Sequence, residues 1–125
     1  MKRFQLLALL LVFCLSSLST ATEIEEARKL APKYHAKTEV VLSDGSRVDL
    51  LSDEYAIEVD WAPKWAESIG QSVHYGLLTG RKPAVILLLK DPVHEWPELV
   101  RAARVCGHLG IALFIERAKG RTGGT

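Results

Sequence analysis

Apolar positions alternate with polar ones through the middle of this chain and recur every third or fourth residue on either side of it. Thr38–Leu42, Ser46–Leu51 and Tyr55–Trp61 carry the two-residue period of half-buried strands. Glu23–Ala31, Pro63–Leu78 and Pro97–Gly107 carry the helical period. In the first helix Ile24, Ala27, Leu30 and Ala31 share a face, Thr22 can cap it, and Pro32 ends or kinks it. In the second, Pro63 suits the first turn, Gly80 can stop it, and Trp65, Ile69, Val73 and Leu77 make an apolar stripe at spacing four. In the third, Leu99, Val100, Ala103 and Cys106 are expected inward. Ala84–Leu89 is apolar on both faces, as in an interior strand covered on both sides, and Ile111–Ile115 is a last apolar strand. The order α-β-β-β-α-β-α-β predicts an α/β fold with a mixed sheet and helices on both faces.

Two turns decide what the hairpins place together. With Asp53 and Glu54 at the second turn, Ser52 pairs with Tyr55 and Asp49 with Glu58. Their Cβ atoms would then lie about 5 Å apart, and like charges so placed are destabilising. Asp60 falls on the same face as Glu58. At the first turn, a two-residue Asp44-Gly45 loop pairs Val40 with Asp49. A three-residue Ser43-Asp44-Gly45 loop, with Gly45 left-handed, pairs Glu39 with Asp49 instead. The longer loop is favoured, since it turns Val40 and Leu42 to the apolar side with Val48 and Leu50. Three or four acids on one face either meet water or bind a cation.

The ends of the chain change the picture. Residues 1–21 have the pattern of an export signal: basic Lys2 and Arg3, an uncharged apolar run from Leu6 to Leu15, and the small residues Ser19 and Ala21. The run is shorter than the roughly 20 residues of a bilayer span. Cleavage would leave no stable membrane span, one domain over residues 22–118, a flexible glycine-rich tail over 119–125, and an exported, periplasmic or secreted product. Phe13 argues against a lipoprotein at Cys14. Loss of Cys14 leaves Cys106 without a disulfide partner, as a buried thiol. A formal net charge of +1 shows no strong nucleic-acid field, although Arg28, Lys29, Lys33, Arg81 and Lys82 form local basic patches.

The candidate chemistry is carried by Asp49, Glu58 and Asp60, with Lys64, Gln71 and Tyr75 from the following helix. These last three stand at i, i+7 and i+11, within about 40° of one another around the helix axis. Glu25 and Glu26 read as first-turn helix charges, and Trp61, Trp65 and Trp96 as core or core edge, a base-stacking role remaining open. The four histidines make no metal-binding spacing, and neither a nucleophile elbow nor a phosphate loop is present.

These residues resemble the PD-(D/E)xK nuclease superfamily, the fold of restriction endonucleases and RecB-type exonucleases. Arg47-Val48-Asp49 resembles its first acid, Glu58-Val59-Asp60 its E-x-K, and Gln71 to Tyr75 the Q-x-x-x-Y helix of the RecB-like branch. The resemblance covers about Thr38 to Leu89 and implies an αβββαβ core. It implies a magnesium- or manganese-dependent nuclease acting on DNA or RNA. Asp49, Glu58 and the carbonyl of Val59 would be metal ligands, Gln71 and Tyr75 would orient the substrate, and Asp49, Glu58, Asp60 and Lys64 would be the catalytic set. The departure is Asp60, which stands where the superfamily has lysine; Lys64 is the candidate replacement. The alternative is a catalytically inactive module of the same fold that binds metal, nucleic acid or another partner in the cell envelope.

Overall fold

The computed structural model describes residues 22–118. The expected export signal over 1–21 and the tail over 119–125 lie outside the described residues. Residues 22–30 form helix α1. The strands are β1 (Lys37–Val41), β2 (Arg47–Leu51), β3 (Tyr55–Trp61), β4 (Lys82–Leu89) and β5 (Ala112–Arg117). A 3-10 turn over Ala62–Lys64 leads into α2 (Trp65–Thr79), and α3 (Trp96–Leu109) joins β4 to β5. The fold is α+β: one five-stranded mixed sheet in the order β1-β2-β3-β4-β5, with helices on both faces. Neighbours β1–β2 and β2–β3 run antiparallel, and β3–β4 and β4–β5 run parallel. The αβββαβ order of the expectation is therefore present. No helix of the described residues is long and apolar enough to cross a membrane.

Hairpin chemistry sets the register. Gly45 takes φ +84, a conformation open to glycine at little cost, and its N–H reaches Leu42 O at 3.0 Å. Asp44 Oδ1 accepts the Ser46 N–H at 2.9 Å. The turn is the three-residue form, so Val40 faces Val48 and Thr38 faces Leu50. At the second turn Ser52 N–H donates to Tyr55 O at 3.0 Å, and Leu50 pairs with Ile57.

Two faces of the sheet are covered differently. On one, Ala27 and Ala31 from the α1 region meet Leu50, Ile57, Val59, Trp61, Ala84, Ile86 and Leu88. On the other, Ile69 of α2 and Ala102 and Cys106 of α3 meet Val85, Leu87 and Ile111. β4 is buried on both faces through its apolar run, as expected of an interior parallel strand.

Three packing expectations are corrected. The inward side of α2 is Ser68, Ser72 and Gly76 with Ile69 and Tyr75; Leu77 is 80% exposed, and Val73 also faces solvent. Small residues let the helix approach closely, and a Cβ on Gly76 would stand 3.1 Å from Arg81 O. Burying the serines leaves no orphan hydroxyl, because Ser68 Oγ donates to Trp65 O and Ser72 Oγ to Ile69 O, each at 2.8 Å. Apolar spacing alone misses this, since it ranks serine and glycine as outward residues. In α3 Cys106 and Leu99 pack inward as expected, with Ala102 and Val105, while Ala103 is exposed. Trp96 is 63% exposed rather than core.

Candidate metal and phosphate site

β2 loses its alternation at Asp49. Val48 packs with Ala56 and Tyr75 on the α2 side, while Leu50 packs with Ile57 on the α1 side. Between them Asp49 Oδ2 accepts the main-chain N–H of Val59 at 2.8 Å. A side chain thus takes the place of a ladder bond, in the plane of the sheet. Glu39, opposite in register, is itself irregular, with φ +50.

This break opens a cleft of about 350 Å³. Asp49, Glu58 and Asp60 line it from the sheet, Lys64, Glu67 and Gln71 from the turn and α2, Glu39 and Arg47 from β1 and β2, and Glu23 from α1. Glu58 and Asp60 are buried, at 7% and 4% exposure, because they point under α2 from the central strand β3.

The acids sit as two neighbouring pairs, Asp49 with Glu58 and Asp60 with Glu23, each close enough to shift its partner's titration. Carboxyl groups that close resist ionising together. Burial, and then the Asp49 and Asp60 charges, push Glu58 up to about 10. Burial also raises Asp49, against the Val59 N–H that favours its charged form. Burial and the neighbouring charges thus favour the protonated form of Glu58 beside Asp49. Burial and the Glu23 charge raise Asp60 to about 8, with Lys64 opposing. Among the described residues, no three acidic, histidine or cysteine side chains already stand in a coordinating arrangement.

The expected residues fall into place unevenly. Lys64 leans into the cleft, but its Nζ lies 2.8 Å from Glu23 Oε1 and 3.8 Å from Asp60 Oδ1, so it serves that pair and not the Asp49–Glu58 pair. Burial works against its charge, and the Glu23 and Asp60 contacts outweigh that and raise its pKa. Gln71 lines the cleft as expected. Tyr75 does not line it; it is buried against Val48 and Ala56, and burial followed by the Glu58 charge pushes its hydroxyl up to about 12. Val59 meets the acids through its N–H, and its side chain belongs to the α1-side core. Glu39 joins the cleft, held by Arg28 at 2.6 Å and Arg47 at 3.5 Å. His74 pairs with Asp44 at 2.8 Å at the hairpin turn.

Glu23 is the residue that sequence reasoning missed. It reads as one of three acids in a helix first turn, a sufficient local explanation. Only the packing of α1 beside the end of β3 sends it to Lys64 and Asp60. Its position ahead of Ile24 and Ala27, on the margin of the inward stripe, was the available signal.

Carboxylates from β1, β2 and β3 and from helices α1 and α2 thus line one cleft with the cations Arg47 and Lys64 and the amide of Gln71. Compared with known proteins, the chain matches no family model, no curated protein and no solved structure.

Proposed function

We propose that this protein is a metal-dependent phosphodiesterase acting on DNA or RNA, a nuclease of PD-(D/E)xK type. The observation that carries the reading is the cleft that brings Asp49, Glu58, Asp60 and Lys64 together, with Glu58 and Asp60 buried. Buried acids pressed together in this way favour replacement of the proton by a cation. The donor set suits Mg²⁺ or Mn²⁺, which on binding would neutralise phosphate charge and acidify a water. Asp49 and Glu58 are the ligands of choice. Asp49 keeps its Val59 N–H bond and so has one oxygen left to offer. Asp60 and Glu23 hold the Lys64 ammonium at the cleft, where it serves as a point charge for phosphate in place of the missing motif lysine. Gln71 supplies an amide for orienting the substrate. Tyr75 supports Glu58 from behind instead of touching substrate.

A second reading rests on Asp60. An acid where a lysine is usual, with Lys64 already engaged by Glu23, suits a fold that binds metal or nucleic acid without turnover. The export pattern at residues 1–21 supports work in the periplasm or outside the cell for either reading.

The test is incubation of the purified chain with plasmid, single-stranded DNA and RNA in Mg²⁺, Mn²⁺ or EDTA. Metal-dependent cleavage lost in Glu58→Gln is the expected result. Cleavage that persists in Glu58→Gln would remove the proposed site, and binding without products would favour the second reading.

A further inference from the structure

A second cleft, of about 500 Å³, opens at the carboxyl ends of the parallel strands β3, β4 and β5. Such ends are where open α/β sheets commonly receive ligands. Trp61, Lys90 and Arg117 line it from the three strand ends, and Thr22, Glu25 and Glu26 from α1. Leu89 pairs with Arg117, so the two cations stand on neighbouring strand ends. Lys90 Nζ lies 4.3 Å above the Trp61 ring, and its main-chain N–H is pinned by Glu95 Oε2 at 2.9 Å.

The cleft is lined by two acids and two bases, but only the acids are paired. Glu25 and Glu26 are both engaged by Lys29, at 3.3 and 2.9 Å. Neither Lys90 nor Arg117 forms an ion pair among the described residues, although most basic side chains nearer the acid cleft do. The buried Trp61 indole N–H has no acceptor either.

The two clefts meet the carboxyl end of β3 from its opposite faces: Asp60 lines the first and Trp61 the second, while on α1 Glu23 lines the first and Thr22 the second. We infer that the Lys90–Arg117 cleft is a phosphate subsite for a single-stranded polynucleotide whose scissile phosphate lies in the acid cleft. The inference rests on the polynucleotide substrate proposed above. A strand crossing from one cleft to the other passes over the end of β3, where it meets two cations held at fixed strand ends. A substrate with one phosphate fills only the acid cleft and gains nothing from them.

The test compares Lys90→Gln/Arg117→Gln with the native chain. Binding of a fluorescent single-stranded oligonucleotide is followed by anisotropy in Ca²⁺ over a salt series, and hydrolysis of bis(p-nitrophenyl) phosphate is followed in Mn²⁺. The double variant is expected to bind the oligonucleotide about tenfold more weakly and to lower the salt slope by ~1.4, two contacts at about 0.7 each on single strands. Small-diester hydrolysis should be unchanged. A control with the same charge loss, Arg101→Gln/Arg104→Gln on α3, should bind as the native chain does. Unchanged affinity and slope in the first variant, equal weakening in the control, or a native chain that hydrolyses the small diester without binding the oligonucleotide would each overturn the inference. Binding that depends on Lys90 and Arg117 with no turnover of either substrate would uphold the subsite and remove the nuclease reading instead.

Discussion

The Asp49 carboxylate takes the Val59 main-chain N–H at 2.8 Å, and the whole candidate site follows from that contact. It splits β2 from β3 just where the ladder would have closed, frees space beneath α2, and leaves one oxygen of Asp49 against Glu58. Replacement separates its two roles. Asp49→Asn retains a carbonyl oxygen for the N–H, and should fold with near-native stability while losing metal-dependent turnover. Asp49→Ala strands a buried N–H and should cost about 1–3 kcal/mol in urea unfolding as well. Equal stability of the two variants would contradict the bond's structural role.

Glu58 is expected to trade stability for chemistry. It is buried, and burial together with the Asp49 and Asp60 charges favours its protonated form. Glu58→Gln keeps the shape and a donor N–H toward Asp49 but cannot ionise. In EDTA at pH 8 it should be more stable than the native chain by roughly 1–3 kcal/mol, because folding the native chain at that pH must take up a proton that glutamine does not need. Cation binding, read by titration calorimetry, should be lost in the same variant. Destabilisation with retained binding would show that Glu58 is an ordinary packing residue.

The pH dependence has a definite sign. Asp60 is raised to about 8 and Glu58 to about 10, both chiefly by burial. In the unfolded chain such groups titrate near 4. Between these limits the folded chain holds protons that the unfolded chain has released, so stability falls as pH rises. Without divalent ions the unfolding free energy from urea titration should therefore decline from about pH 5 to pH 9, by a few kcal/mol in all, and the urea midpoint with it. Mg²⁺ or Mn²⁺ should flatten the decline by taking the protons' place. A midpoint that rises across this range in EDTA would refute the protonated pairs.

Lys64 should matter for rate more than for folding. It is partly exposed, and its pairs with Glu23 and Asp60 are edge contacts. Lys64→Met should lower cleavage by roughly 10²–10³ through loss of phosphate stabilisation, with a change in unfolding free energy within about 1 kcal/mol. The Asp60 titration, followed by carboxyl NMR, should move further up, since its one opposing cation is gone. Full activity in Lys64→Met would exclude it as the replacement for the motif lysine.

The rotated face of α2 gives a test independent of function. A Cβ at Gly76 would meet Arg81 O at 3.1 Å and Pro83 Cδ at 3.2 Å. Gly76→Ala should destabilise by about 1–3 kcal/mol despite alanine's better helix propensity. Leu77→Ala, at a position 80% exposed, should change stability by no more than about 0.5 kcal/mol. The reverse ranking would restore the apolar stripe as the inward face.

Local chemistry in the chain determined more of this protein than its small size suggests. The glycine in Ser43-Asp44-Gly45 and the polar pair Asp53-Glu54 are short-range signals, and they were enough to put Glu39, Asp49, Glu58 and Asp60 in one register. The two-sided apolar run of Ala84–Leu89 likewise announced an interior strand. What those signals lack is depth. Alternation could not reveal that Asp49 would turn into the sheet plane, because that depends on which bond a neighbouring strand leaves open. Helical spacing could not reveal that serines and a glycine, not Val73 and Leu77, would face the sheet, because the choice is made by how closely α2 can approach the start of β4 at Arg81 and Pro83. Glu23 lies more than thirty residues from Asp60 along the chain, and no local pattern links them. Only the docking of α1 across the sheet brings that carboxyl to Lys64, since burial and charge act through space and not along the backbone.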